Sequence, residues 1–139
     1  MAQTVADVMT RDPATIDTSS TVADAARIMR DQDTGAIIVT DNGRVAGIVT
    51  DRDIAVRVVA EDKDNSTPVV EACSGTDIAT VGPDTSMEQA VQLMRSKAVR
   101  RLPVVQNDRA VGIVSLGDLA MERDEDSALA DISAAPGNE

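Results

Sequence analysis

The chain has 139 residues, one Cys, no His, no Phe, Tyr or Trp, and a formal net charge of −11. Without histidine the commonest general base and the commonest metal ligand are both missing, and Cys73 alone builds neither a zinc cluster nor a Cys-His pair, so no catalytic or metal-ligating residue is expected. The negative charge argues against nucleic acid as a partner. No run reaches the roughly 18 apolar residues of a membrane span, and the N-terminus lacks a signal-peptide pattern, so a cytoplasmic location is expected.

A repeat organises the rest, because residues 12–55 align without a gap on 77–120 at an offset of 65. Asp12, Thr15, Ala25, Met29, Arg30, Asn42, Arg44 and Gly47-Ile48-Val49 recur as Asp77, Thr80, Ala90, Met94, Arg95, Asn107, Arg109 and Gly112-Ile113-Val114. In chain order, each copy begins with a short strand, near Thr15-Ile16 or Thr80-Val81. A helix follows, since Val22, Ala25, Ala26 and Met29, like Met87, Ala90, Val91 and Met94, keep the i, i+3, i+4, i+7 spacing of one buried stripe. Two apolar runs around Asp41-Asn42-Gly43 or Gln106-Asn107-Asp108 then read as a β-hairpin. A last helix starts near Thr50 or Ser115. The fold class is therefore α+β, two β-α-β-β-α repeats expected to pack through their sheets with pseudo-twofold symmetry. The divisions expected are 5–62 and 69–122 for the repeats, 63–68 for a polar linker ending at Pro68, and 123–139 for an acidic, flexible tail.

Each hairpin runs into Gly-Ile-Val-[Thr/Ser]-x-x-Asp, at Gly47–Asp53 and Gly112–Asp118. Two readings fit. In the structural one, Thr50 or Ser115 caps the new helix and the acid three residues on answers the cap's own amide, as Thr21 with Asp24 and Ser86 with Gln89 would at the other helices. In the functional one, the glycine admits a ligand or another backbone closely, amides and hydroxyl at the helix start receive phosphate, and the acid accepts from ribose hydroxyls. The same residues can do both.

At these residues, and at Val99-Arg100-Arg101-Leu102-Pro103-Val104, the sequence resembles the CBS (cystathionine-β-synthase) domain proteins, whose paired form is called a Bateman module. The resemblance covers about residues 5–122 in two copies. It implies two clefts for adenosine-containing molecules such as AMP, ADP, ATP, NAD or S-adenosylmethionine, as regulatory ligands and not required cofactors. It implies ribose on Asp53 and Asp118, phosphate facing Thr50 and Ser115, and adenine against Thr15, Ile16, Ala36 and Ile37 or Thr80, Val81, Leu102 and Pro103. A homodimer and an unidentified protein target are implied as partners.

The two copies differ where a phosphate would lie. Gly35-Ala36 stands where the second copy has Arg100-Arg101, and Arg52 matches Gly117, so the clefts are expected to be inequivalent. These arginines serve either phosphate or surface ion pairs. Cys73, among Val69, Val70 and Ala72, reads as a buried, inert thiol, and Asp124-Glu125-Asp126 as solvated tail. The rival functions are an interaction protein that has lost ligand binding, and a nucleotide hydrolase using Asp53 or Asp118.

Overall fold

The computed structural model describes residues 4–73 and 78–123. Asp77 and the tail beyond Arg123, with Asp124-Glu125-Asp126, lie outside them. In chain order the elements are β1 (Thr10–Arg11), β2 (Thr15–Asp17), α1 (Val22–Gln32), β3 (Ala36–Asp41), β4 (Arg44–Thr50) and α2 (Asp51–Ile54), which continues as a π-helical segment, Ala55–Val59. There follow α3 (Met87–Lys97), β5 (Arg101–Gln106), β6 (Arg109–Ser115) and α4 (Leu116–Arg123), with 3-10 turns at Val5–Asp7 and Val69–Glu71. The architecture is mixed α and β, with two three-stranded sheets of order β2-β3-β4 and β1-β6-β5.

Both long helices carry the caps their sequences announce. Thr21 Oγ1 accepts the Asp24 N–H at 3.2 Å while Asp24 accepts that of Thr21, and Ser86 with Gln89 repeats the pair. Each helix ends on a left-handed residue, Asp33 or Ala98, that turns the chain back toward the sheet. Of the expected stripe on α1, Val22 and Ala25 are buried, Met29 is half-buried and Ala26 is exposed; on α3, Met87, Ala90 and Met94 are buried. The hairpin turns form as read. Asn42 and Gly43, and Asn107 and Asp108, all take positive φ, the geometry whose twist matches a two-residue connection. In each hairpin the register shifts once, between Val39 and Thr40 and between Val104 and Val105.

The compact units divide the chain differently from the repeats: one comprises Pro13–Ile78, the other Met1–Asp12 with Ala79–Glu139. The stretch leading into each repeat is thus built into the other repeat's unit. The Val5 N–H donates to Thr85 O at 2.8 Å, and the Val69 N–H donates to Ser20 O, the repeat partner of Thr85, at 2.8 Å. Val5 is fully buried with Val81, Met94, Leu102, Val104 and Val114, and Val69 with Ile16, Ile37, Val39 and Val49. Burying each such side chain contributes about 1.5–3 kcal/mol, so both lead-in stretches are part of a core. The polar stretch 63–68 also lies against its own unit, where Thr67 O accepts the Val22 N–H at the start of α1.

β1 is the element with no forewarning in the sequence. It pairs antiparallel with β6, Thr10 opposite Ile113 and Arg11 opposite Gly112. The strand expected at Thr80-Val81 is reduced to a single parallel bridge, Val81 to Val104, whereas its counterpart β2 pairs with β3 over three residues.

Candidate functional site

In the unit of residues 13–78, the ends of two paired strands make a corner. β3 begins and β4 ends there, with Ala36 opposite Thr50 and Ile37 opposite Val49. β2 lies alongside, Thr15 opposite Ile38. Thr50 is the N-cap of α2: its hydroxyl accepts the Asp53 N–H at 3.1 Å, and Asp53 Oδ2 accepts the Thr50 N–H at 3.0 Å. The capping reading is therefore realised. The other carboxylate oxygen, Oδ1, takes no part in the cap and lies 4.0 Å from Arg57 Nε, with the Asp53 side chain 19% exposed.

The second unit repeats the corner. Arg101 is opposite Ser115 and Leu102 opposite Val114. Asp118 Oδ2 accepts the Ser115 N–H at 2.9 Å, and Ser115 Oγ accepts the Asp118 N–H at 3.1 Å. The Leu116 N–H donates to Arg100 O at 2.8 Å, the equivalent of Asp51 N–H to Gly35 O at 3.0 Å. Arg100 and Arg101 are thereby fixed by their backbone beside Ser115, their side chains exposed. Arg52 is exposed on α2. Thr15 and Thr80 are exposed; Ile16, Ala36 and Val81 are buried with a few per cent showing; Ile37, Leu102 and Pro103 are fully buried. The side chains of these last three are closed to a ligand, and Pro103, which has no N–H, already accepts the Val81 N–H on its carbonyl at 3.1 Å.

Two details of the functional reading change. Amides at the start of α2 are already engaged: Asp51 N–H by Gly35 O, Arg52 N–H by Asp51 Oδ1 at 2.8 Å, and Asp53 N–H by Thr50. None of these three amides is left free at the start of α2. The glycine of the second motif also has a structural cause. A methyl group on Gly112 would lie 2.5 Å from Met9 Sδ and 2.9 Å from Thr10 O, so the close approach is that of β1.

A groove of about 460 Å³ lies along the second unit between Thr80–Gly82 and the Gln89 and Leu93 side of α3. It shares Thr80 and Val81 with the candidate wall but includes neither Ser115 nor Asp118, so motif and groove are separate features. Cys73 is half-buried, not buried, and its Sγ lies 3.5 Å from Val70 O. Burial, chiefly, pushes its thiol pKa up. Among the described residues no three His, Cys, Asp or Glu side chains gather as metal ligands, and no helix is long and apolar enough to cross a membrane.

The residue that the sequence reading passed over is Arg57. Its Nη1 donates to Ala72 O and Cys73 O, each at 3.3 Å, while its Nε faces Asp53. The signal was present as an acid and an arginine at i and i+4 in a helical segment.

Comparison with known proteins follows the same lines. A family model for the CBS domain matches residues 5–60 and 66–125. The CBS domain-containing protein YhcV of Bacillus subtilis is 44% identical over 119 residues, which span 86% of this chain and 84% of that protein. A solved protein with CBS domains from Burkholderia ambifaria has a TM-score of 0.80 at 31% identity, covering 89% of this chain and 96% of that one. The CBS domain pair of protein MJ0100, solved with 5′-methylthioadenosine and S-adenosyl-L-methionine, has a TM-score of 0.80 at 24% identity, covering 89% of this chain and 98% of that one; this is a likeness of fold.

Proposed function

The chain belongs to the CBS domain family, and from that premise we propose that it is a regulatory module that binds an adenosine-containing small molecule and catalyses no reaction. The observation that carries this reading is the duplicated corner, where the cap uses only Oδ2 of Asp53 and of Asp118. A carboxylate held by one oxygen and partly open at the other is a preoriented acceptor for vicinal ribose hydroxyls, which lowers the ordering cost of binding. Thr50 and Ser115 supply hydroxyls for phosphate, Arg100 and Arg101 supply charge in the second corner, and Arg52 in the first. The adenine lies along Thr15, Ile16, Ala36 and Ile37, or along Thr80, Val81, Leu102 and Pro103, with the exposed Thr15 and Thr80 hydroxyls beside it.

AMP, ADP, ATP, NAD and S-adenosylmethionine all carry the adenosine that this corner would recognise. The CBS domain pair of MJ0100, of the same fold and solved with two adenosine compounds, supports the choice of ligand class. Binding stabilises one conformation over another, and a homodimer or a protein target in the cytoplasm reads that shift. A net charge of −11 makes nucleic acid the least favoured partner.

A second reading, an interaction protein that has lost its ligand, is favoured by one observation: the amides at the start of α2 are already satisfied within the chain. Thermal melting decides between the two. Each adenosine compound at about 100 times its dissociation constant should stabilise the protein by roughly 2.7 kcal/mol. Asp53→Ala and Asp118→Ala should each lose about 1 kcal/mol of capping stability in the absence of ligand. On the binding reading they also lose the ligand's stabilisation; if none of the five compounds moves the melt of the wild-type chain, the interaction protein stands.

A further inference from the structure

We infer that Arg57 is a positioning residue for the first corner: it clamps the carboxylate of Asp53 to the chain at Ala72-Cys73 and so sets the orientation in which Asp53 meets a ribose. The inference rests on the proposed role of Asp53. Its basis is the set of contacts around one guanidinium. Nε faces Asp53 Oδ1 at 4.0 Å, and Nη1 donates to Ala72 O and Cys73 O at 3.3 Å. The opposite edge of the carboxylate is held by the Thr50 N–H. Asp53 is therefore hydrogen-bonded at Oδ2 by its own cap, while Oδ1 stays free of a hydrogen bond from Arg57 and faces, at 4.0 Å, a cation anchored on Ala72 and Cys73.

The pair is too exposed for its purpose to be stability. The Arg57 side chain is 47% exposed, and ion pairs of that kind contribute about 0–1 kcal/mol. Its value lies in geometry, because a planar guanidinium that spans a carboxylate and two carbonyls restricts the rotation of the acid. The segment supports this. Arg57 sits in the middle of the π-helical stretch Ala55–Val59, whose wider turn changes the direction of side chains relative to a continued α-helix. The arginine itself is not repeated in the sequence, since the position matching Arg57 at the repeat offset is Glu122. The two corners differ not only in the arginines offered to phosphate but also in how firmly the ribose acid is oriented.

The test uses the full chain carrying Asp118→Ala, so that only the first corner is read, with AMP and 2′-deoxy-AMP as probes in isothermal titration calorimetry. A hydrogen bond to a charged group is lost with the 2′-hydroxyl, so AMP should bind roughly ten- to a hundredfold more tightly than its deoxy analogue. Arg57→Gln should weaken AMP about tenfold while leaving 2′-deoxy-AMP within about twofold, and Arg57→Lys should recover part of the preference. If Arg57→Gln weakens both nucleotides equally, or neither, the positioning role is overturned and the proposed function survives. If the parent shows no preference or no binding, or if Asp53→Asn leaves the preference intact, the role of Asp53 fails and the inference fails with it.

Discussion

Replacing Gly112 by Ala tests the account of the motif glycine directly. The new methyl group would sit 2.5 Å from Met9 Sδ and 2.9 Å from Thr10 O. The thioether can swing aside, but Thr10 O belongs to the backbone of β1, which is paired to β6 at that point, so the strand itself must move. Forcing a methyl group into such a space costs about 1–3 kcal/mol. Against this stands a gain of about 0.4–1 kcal/mol, because alanine has fewer unfolded conformations to lose. Because the clash is with backbone, the cost falls toward the upper end of that range and the net loss reaches up to about 2.6 kcal/mol, and each kcal/mol lowers the melting temperature of a cooperative unit of 60–100 residues by about 4–8 °C. Far-ultraviolet circular dichroism is the assay, since the chain has no aromatic residue for fluorescence. In a background of Met9→Ala, itself destabilising because Met9 packs on the core, Gly112→Ala should cost less than in the wild type by the part of the loss due to the thioether. A Gly112→Ala variant that melts with or above the wild type would refute the reasoning and return the glycine to the ligand.

Other outcomes follow from the surface and from the thiol. Hydroxyls and amides of Ser19, Thr21 and Ser66 hold the carboxyl pKa values of Asp17, Asp24 and Asp64 below the ordinary 3.8. A carboxylate lowered on folding stabilises in full above its unfolded pKa and loses that contribution as pH falls through the folded one, so urea midpoints should hold steady down to about pH 5 and decline below about pH 4. Asp17→Asn should flatten that decline, and an unchanged acid limb would contradict the role of Ser19. Burial raises the Cys73 pKa, so iodoacetamide should modify the native chain at pH 8 more slowly than the urea-unfolded chain, a difference that mass spectrometry follows. Equal rates would mean that Cys73 is as open as in the unfolded chain.

The parts of the fold that could be read from sequence are those whose causes are local. Thr21 with Asp24 and Ser86 with Gln89 cap their helices through contacts three residues apart, and Asn42-Gly43 turns its hairpin through its own backbone angles. The motif residues were found because they occur twice, and their caps form within one helical turn. β1 was not legible, since Thr10-Arg11 is two exposed polar residues whose pairing depends wholly on a distant strand. The exchange of lead-in stretches escaped for the same reason: Val5 and Val69 look like ordinary apolar residues beside their own repeats. Arg57 was legible only as an i, i+4 pair with Asp53, because its carbonyl partners lie past a loop.

The exchange of lead-in stretches also sets an order of events. During synthesis β1 emerges about a hundred residues ahead of β6, the strand it must join, and Val5 waits as long for Leu102 and Val114. Until then the second unit lacks both an edge strand and a core side chain. Contacts of such long range are slow to form, because the entropy of closing the loop comes before any reward. The first repeat has only to wait for Val69 and can close early, whereas the second unit completes when Val5 and β1 meet the strands of the second repeat. A split of the chain between the repeats would leave each fragment holding a piece of the other's core, and the two should regain structure only when mixed.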